Sequence, residues 1–249
     1  MSGVTLTWLG TGNFLVPPAR YWNSFIAEGV GGPTVLVEPS PTALPNLRRA
    51  GHAVEHLDAI VISHFHPDHT FGWPFLLLEI LQRGRRSPLH VIGPPGVAGF
   101  LEEMMRFGST MDIHEGAHRK LDIRYTEADE SQPSQAAGEL VFRAVKVEHV
   151  PELECYGYLL ELGDMTLGYS GDTKPCQGLD ELAGASDVLV LECNGVHESH
   201  SHMHVDAVRS LRQRYPNPKM IVSHLGADVE AEMLPGVVMP DDFAKLDFP

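Results

Sequence analysis

The stretch Ser63-His64-Phe65-His66-Pro67-Asp68-His69 decides how this chain is read. It places four candidate metal ligands, His64, His66, Asp68 and His69, in a six-residue window. Ala59-Ile60-Val61-Ile62, just before it, is apolar and rich in β-branched residues, which predicts a buried strand. Pro74 to Leu81, just after it, predicts the start of an apolar-faced helix. The ligands therefore fall on a strand-to-helix loop, where a rigid element can carry a functional segment. Imidazole suits zinc and iron, and a neighbouring carboxylate adds a hard oxygen. His64 and His66 alternate along extended chain and can grip one ion. Asp68 and His69 lie past the bend at Pro67 and can face a second.

The spacing His-x-His-x-Asp-His behind an apolar strand resembles the metallo-β-lactamase superfamily, and the resemblance runs along nearly the whole chain. Within that superfamily the chain is most similar to the ribonuclease Z-like phosphodiesterases. The resemblance implies an α+β fold, an αββα sandwich of two mixed sheets with helices outside. The order of elements agrees, because two successive strand-rich blocks are each followed by helices. One domain spanning residues 1–249 is expected.

Composition narrows the class. The apolar fraction is 43%, enough for a sizeable core. The net charge is −15, from 33 acidic and 18 basic residues, which argues against a large nucleic-acid surface. Cys155, Cys176 and Cys193 show no paired spacing, so a reducing compartment is expected rather than a disulfide framework. Met1 to Leu9 lacks a basic region followed by a long apolar run, and no apolar run is long enough to span a bilayer. A cytoplasmic protein without membrane contact is the expectation.

Val4 to Leu9 reads as a strand that meets Gly10-Thr11-Gly12. Thr34 to Glu38 is another, with Glu38 at the place where the resembled family usually carries an Asp behind the histidine loop. Pro41 to Ala50 and Val97 to Phe107 read as helices, and Leu89 to Ile92 as a strand between them. His114 and His118 read as surface residues of a polar connection. Tyr125 to Gly138 reads as a loop or hairpin tip. Leu140 to Val147 alternates as a strand and delivers His149. A hairpin over Tyr156–Leu162 and Met165–Tyr169 leads to Ser170-Gly171-Asp172. Val188 to Glu192 is a continuous apolar strand ending in a carboxylate, and His197, His200, His202 and His204 crowd the following loop. Asp206 to Tyr215 reads as a helix, and Met220 to Ser223 as a strand with His224 at its tip.

By resemblance, His64, His66 and His149 would hold one ion, Asp68, His69 and His224 the other, and Asp172 would bridge them. Two zinc ions are expected, with manganese or iron as alternatives. Two divalent ions about 3.5–4 Å apart can share a water and lower its pKa, so that the hydroxide is the nucleophile. The resemblance adds Glu192 and His202 as a proton-transfer pair. His204 stands where the family usually has Ser or Thr, which leaves either His202 or His204 facing the substrate. The catalytic set is thus Asp68, Glu192, His202 and His204.

The expected activity is phosphodiester hydrolysis. Phosphotriesters, sulfate esters and lactones are alternatives, and an iron-dependent oxidoreductase is a more distant one. The interval between His149 and Asp172 holds only a hairpin, where ribonuclease Z carries a long arm. That departure and the acidic charge point to a small ester substrate, with no large nucleic-acid surface. A homodimer is an open expectation. Phe71-Gly72-Trp73-Pro74-Phe75 reads as core or as its contact.

Overall fold

A computed structural model describes residues 3–138 and 140–249. Met1 and Ser2, which open the Met1–Leu9 stretch, and Glu139 lie outside the described residues.

The first sheet takes seven strands: β1 (Val4–Gly10), β2 (Ser24–Gly29), β3 (Thr34–Val37), β4 (Ala59–Val61), β5 (Leu89–Gly93), β6 (Ile123–Glu127) and β13 (Lys245–Phe248). Their spatial order is β13-β1-β2-β3-β4-β5-β6. The second takes β7 (Ser134–Ala136), β8 (Leu140–Val147), β9 (Cys155–Leu162), β10 (Met165–Tyr169), β11 (Val188–Cys193) and β12 (Lys219–Leu225), in the order β12-β11-β10-β9-β8-β7. Both sheets are mixed. β3 to β6 run parallel and β1–β2–β3 antiparallel, while β10–β11–β12 run parallel and β7 to β10 antiparallel.

Side-chain alternation builds the layers. Ala59 and Val61 of β4 point into the space between the sheets, and Ile60 points to the helices. β11 repeats this, with Val188 and Val190 between the sheets and Leu189 and Leu191 outward. A strand covered on both faces has to be apolar on both, hence the unbroken runs. The short α2 (Pro67–Thr70) lies within the histidine loop; on the first sheet lie α1 (Ala43–Arg49), α3 (Trp73–Arg83), α4 (Val97–Phe107) and α5 (Met111–Lys120), and on the second α6 (Gln177–Ala185) and α7 (Val205–Arg214). The result is the αββα sandwich expected from the sequence.

Helix α3 shows the local logic. Trp73, Leu76, Leu77 and Ile80, one stripe at helical spacing, are fully buried. Pro74 starts the helix, and Gly84 ends it in left-handed conformation, φ 66°. Trp73 is therefore core, while Phe71 and Phe75 on either side remain exposed.

Two local expectations are corrected, and one helix is added. The connection carrying His114 and His118 is helical over α5, where His118 is exposed as expected but His114 is buried, with Ala117 packed against the first sheet's helical layer. The stretch Tyr125–Gly138 contributes to strands β6 and β7, because each finds a sheet edge to extend. Helix α6 was not apparent in the sequence. Gly178 and Gly184 weaken its intrinsic preference, and packing of Leu179, Leu182 and Ala183 compensates.

Candidate metal centre

Strands β8, β10, β11 and β12 run in one direction, so their C-terminal ends collect at one edge of the second sheet. The ends of β3 and β4 bring Glu38 and the histidine loop to meet them. Tyr156 N–H donates to Ser63 O at 3.0 Å and the Tyr158 hydroxyl to Ile62 O at 3.0 Å, which ties the two sheets together beneath the loop.

Two triads of ligand atoms face each other across Asp172. In the first, His66 Nδ1 lies 2.9 Å from His64 Nε2 and 3.2 Å from His149 Nε2. In the second, Asp68 Oδ2 lies 3.3 Å from both His69 Nε2 and His224 Nε2. Asp172 places Oδ1 at 3.5 Å from His69 Nε2 and Oδ2 at 3.4 Å from His224 Nε2, and also groups with His149 and His202.

The outer nitrogens are turned towards oxygens. His64 Nδ1 meets Ser63 Oγ at 2.9 Å, and His149 Nδ1 meets Ser201 O at 2.8 Å. His69 Nδ1 lies 3.4 Å from Glu38 Oε1, and the Glu38 carboxylate also accepts from Ser63 N–H at 3.2 Å. Partners of this kind fix imidazole orientation around a metal. Ser63, Ser201 and Glu38 contact the candidate ligands, and of these only Glu38 stood out in the sequence, by its place at a strand end.

The backbone is strained at two of these positions. Glu38 has φ 60° and His224 φ 51°, in the left-handed region that non-glycine residues avoid. The β11–β12 register runs from Glu192↔Ser223 to Cys193↔Leu225, so His224 is a bulge. A bulge re-aims a side chain out of the alternation of its strand.

The electrostatics ask for a cation. Burial disfavours charge on His69, yet the carboxylates of Asp172, Asp68 and Glu38 hold its pKa well above the usual range. Burial pushes Asp172 up, but His224 and His69 bring it well below the carboxylate range. Asp68 is only partly buried, and His69 with the His224 hydrogen bond takes it far below. His64, away from these carboxylates' strongest reach, is pushed well down by burial and by His69. His69 Nδ1 and Nε2, Asp172 Oδ1 and His224 Nδ1 are buried without a hydrogen-bond partner. Orphaned polar atoms at this density are costly in a folded protein unless something else engages them. The donor set, five imidazoles and two carboxylates, fits divalent ions.

Beside the triads, His202 Nδ1 lies 2.8 Å from Glu192 Oε1, and both residues are buried. Burial, then Asp172, pushes the Glu192 carboxyl well up, and burial brings the His202 imidazole down. His202 lines the cleft above the centre. His204 stands at the start of α7 and lines a separate surface hollow with Glu148, Lys174 and His200. Behind the centre, Ser223 Oγ donates to Asn23 Oδ1 at 2.5 Å and Asn23 Nδ2 to the Tyr169 hydroxyl at 3.1 Å, a buried chain the sequence did not signal.

The cleft has a volume of about 450 Å3. His66, Asp68, His149, Asp172, Ser201 and His202 are its polar lining residues, and Phe14, Trp22, Pro67 and Val150 its apolar ones.

This architecture has known counterparts. A match to the family described as a Beta-lactamase superfamily domain spans residues 33–225. The chain belongs to the beta-lactamase superfamily. Ribonuclease Z of Mycobacterium sp. (strain KMS) is 30% identical, over 75% of this chain and 67% of that one. Ribonuclease Z of Methanosarcina mazei is 24% identical, over 98% of each chain. The short form of human tRNase Z superposes with a TM-score of 0.76 at 18% identity, over 98% of this chain and 99% of that one. The chain is accordingly a hydrolase of the metallo-β-lactamase fold, similar to ribonuclease Z.

These relatives correct one expectation. The acidic balance and the short His149–Asp172 interval pointed to a small ester and no large nucleic-acid surface. Relatives named as ribonucleases, matching along the chain, overturn that reading. Net charge is a sum over the whole surface and says little about one cleft. Among the described residues, no helix is long and apolar enough to cross a membrane.

Proposed function

We propose that this protein is a phosphodiesterase whose centre holds two divalent ions and which acts on RNA. The observation that carries the reading is the pair of triads around Asp172, with Glu192–His202 beside them. His64, His66 and His149 would hold one ion, Asp68, His69 and His224 the other, with Asp172 between. An imidazole-rich donor set favours zinc, with manganese or iron as substitutes. When bound, such ions lower the pKa of a water towards neutrality and offset negative charge on phosphoryl oxygens.

The chain's own residues complete the chemistry. Glu38, Ser63 and Ser201 hold imidazoles in position. Glu192 accepts from His202 Nδ1–H, which leaves Nε2 as the nitrogen that can pass a proton to the departing oxygen. Pro67 and Val150 line the cleft beside these residues and would leave water less room next to the reacting group. The relatives' name, ribonuclease Z, supports phosphodiesters over triesters, sulfate esters and lactones.

The test is hydrolysis of bis(p-nitrophenyl) phosphate and of a single-stranded oligoribonucleotide by zinc- and manganese-loaded protein, with ion content measured in parallel. Turnover that disappears on chelation, with two ions per chain, is expected. Loaded protein that cleaves neither substrate, or that binds a single ion, refutes the reading.

A further inference from the structure

The aromatic side of the cleft is not explained by the metal centre. Phe14 is 50% exposed, and Trp22 is partly buried. Both line the same cleft as Asp68 and Asp172. A phenylalanine left half in water beside a polar centre contributes little to the core.

The segment carrying Phe14 is fixed at its base. Asn13 is buried, and its N–H donates to Leu225 O at 3.1 Å. Its Nδ2 donates to Asn194 Oδ1 at 2.7 Å, and its Oδ1 accepts from Leu15 N–H at 3.1 Å. Val16 N–H closes the turn on Asn13 O at 3.0 Å. The Trp22 indole N–H donates to Phe14 O at 3.2 Å, so the two aromatic residues are tied together. Leu225 follows His224, and Asn194 lies just beyond Glu192. The anchors therefore reach the same strand ends that carry the centre.

Charge narrows the ligand further. No lysine or arginine lines the cleft among the described residues. A substrate phosphate is met there by the centre, and the group next to it meets aromatic rings, Pro67 and Val150. That group should be flat and stackable. A nucleobase fits, because every base offers a π-face. The base must be unpaired to be splayed onto a ring, which selects a single strand.

We propose that Phe14 and Trp22 form a stacking platform for the base beside the scissile phosphodiester of a single RNA strand. This rests on the phosphodiesterase reading, yet it concerns binding and can be measured without turnover. Trp8 and Trp73, the other tryptophans, are fully buried, so base stacking quenches Trp22 selectively.

The experiment titrates metal-loaded protein carrying His202→Ala, in which hydrolysis is slowed, with hexauridylate, uridine 5′-monophosphate and ribose 5-phosphate, following tryptophan fluorescence. Hexauridylate and the monophosphate should quench, the hexamer binding more tightly, and ribose 5-phosphate should not quench and should compete only weakly, through its phosphate. Phe14→Ala should weaken hexamer binding about tenfold, which is about 1.4 kcal/mol and inside the range for one stacked base. Phe14→Tyr should retain binding, and unchanged thermal melting would show that Phe14→Ala is folded. Unaltered affinity in folded Phe14→Ala, or equal binding of ribose 5-phosphate, overturns the platform. A monophosphate bound as tightly as the hexamer overturns the RNA strand as its occupant. Base-dependent quenching, where the protein without His202→Ala hydrolyses no phosphodiester, would refute the phosphodiesterase reading and leave the platform in place.

Discussion

His202 Nδ1 lies 2.8 Å from Glu192 Oε1 and 3.0 Å from Oε2, so one buried carboxylate holds this imidazole with both oxygens. A general acid on Nε2 should matter most where the leaving group is poor. His202→Ala is expected to lower kcat about 10²- to 10⁴-fold. The loss should be larger for an alkyl than for a p-nitrophenyl leaving group. Glu192→Gln should lower kcat less, by about tenfold or more, since the amide oxygen still orients the ring without its charge. Equal losses across leaving groups would refute the proton-transfer role.

Gly171 has φ 58°, and a Cβ there would stand 2.6 Å from Ser63 Cβ. The segment of Asp172 thus runs against the histidine loop with no room for a methyl group. Gly171→Ala should cost about 1–2 kcal/mol from the left-handed backbone alone, and more from the clash. It should also displace Asp172. Ion content per folded chain should fall, read by elemental analysis beside urea denaturation. A variant with full ion content and unchanged stability would contradict the packing argument.

Chelation should expose the electrostatic imbalance of the centre. Removing ions is expected to lower Tm, and zinc at 100 times its Kd should restore about 2.7 kcal/mol for each ion bound. The metal-free protein should also respond to pH. His69 is held above its ordinary pKa, so its stabilising charge is fully present below about pH 6.5 and is lost as pH rises through the raised value. Asp68 and Asp172 are held low, so their contribution is present above about pH 3.9 and is lost on acidification. Tm of chelated protein against pH should therefore decline at both ends. A flat alkaline side would show that His69 is not charged.

Asn23 joins Ser223, the neighbour of His224, to the Tyr169 hydroxyl. Asn23→Ala leaves both hydroxyls buried without this partner, which should cost about 1–3 kcal/mol. Urea denaturation reads the loss. A change below a few tenths of a kcal/mol would mean that another group replaces the amide.

Among the described residues, the cleft offers no lysine or arginine to phosphate. Binding of hexauridylate should therefore depend weakly on salt. A slope of log K against log salt no steeper than about −1.4, equivalent to two single-strand phosphate contacts, is expected between 50 and 200 mM, both as rough working limits. A steeper slope would place basic groups outside the cleft on the RNA path.

Sequence, with the resemblance it carries, picked out the candidate ligands and their order along the chain. His64, His66, Asp68 and His69 are local, and His149, Asp172 and Glu192 each follow a strand whose alternation or apolar run is visible in a few residues. It also determined the layered fold class, because strand and helix periodicities are local properties. Tertiary structure decided how those ends meet. Whether His202 or His204 enters the cleft depends on where α7 begins relative to β11, a non-local matter. The bulge that aims His224, the left-handed turn at Glu38 and the approach of Gly171 to Ser63 all arise from pairing between distant strands. Helix α6 is of the same kind, since its glycines argue against it locally and burial against the second sheet overrides them. Local spacing selects residue type and periodicity, while register, bulges and close backbone approach are settled by contacts between segments far apart in sequence.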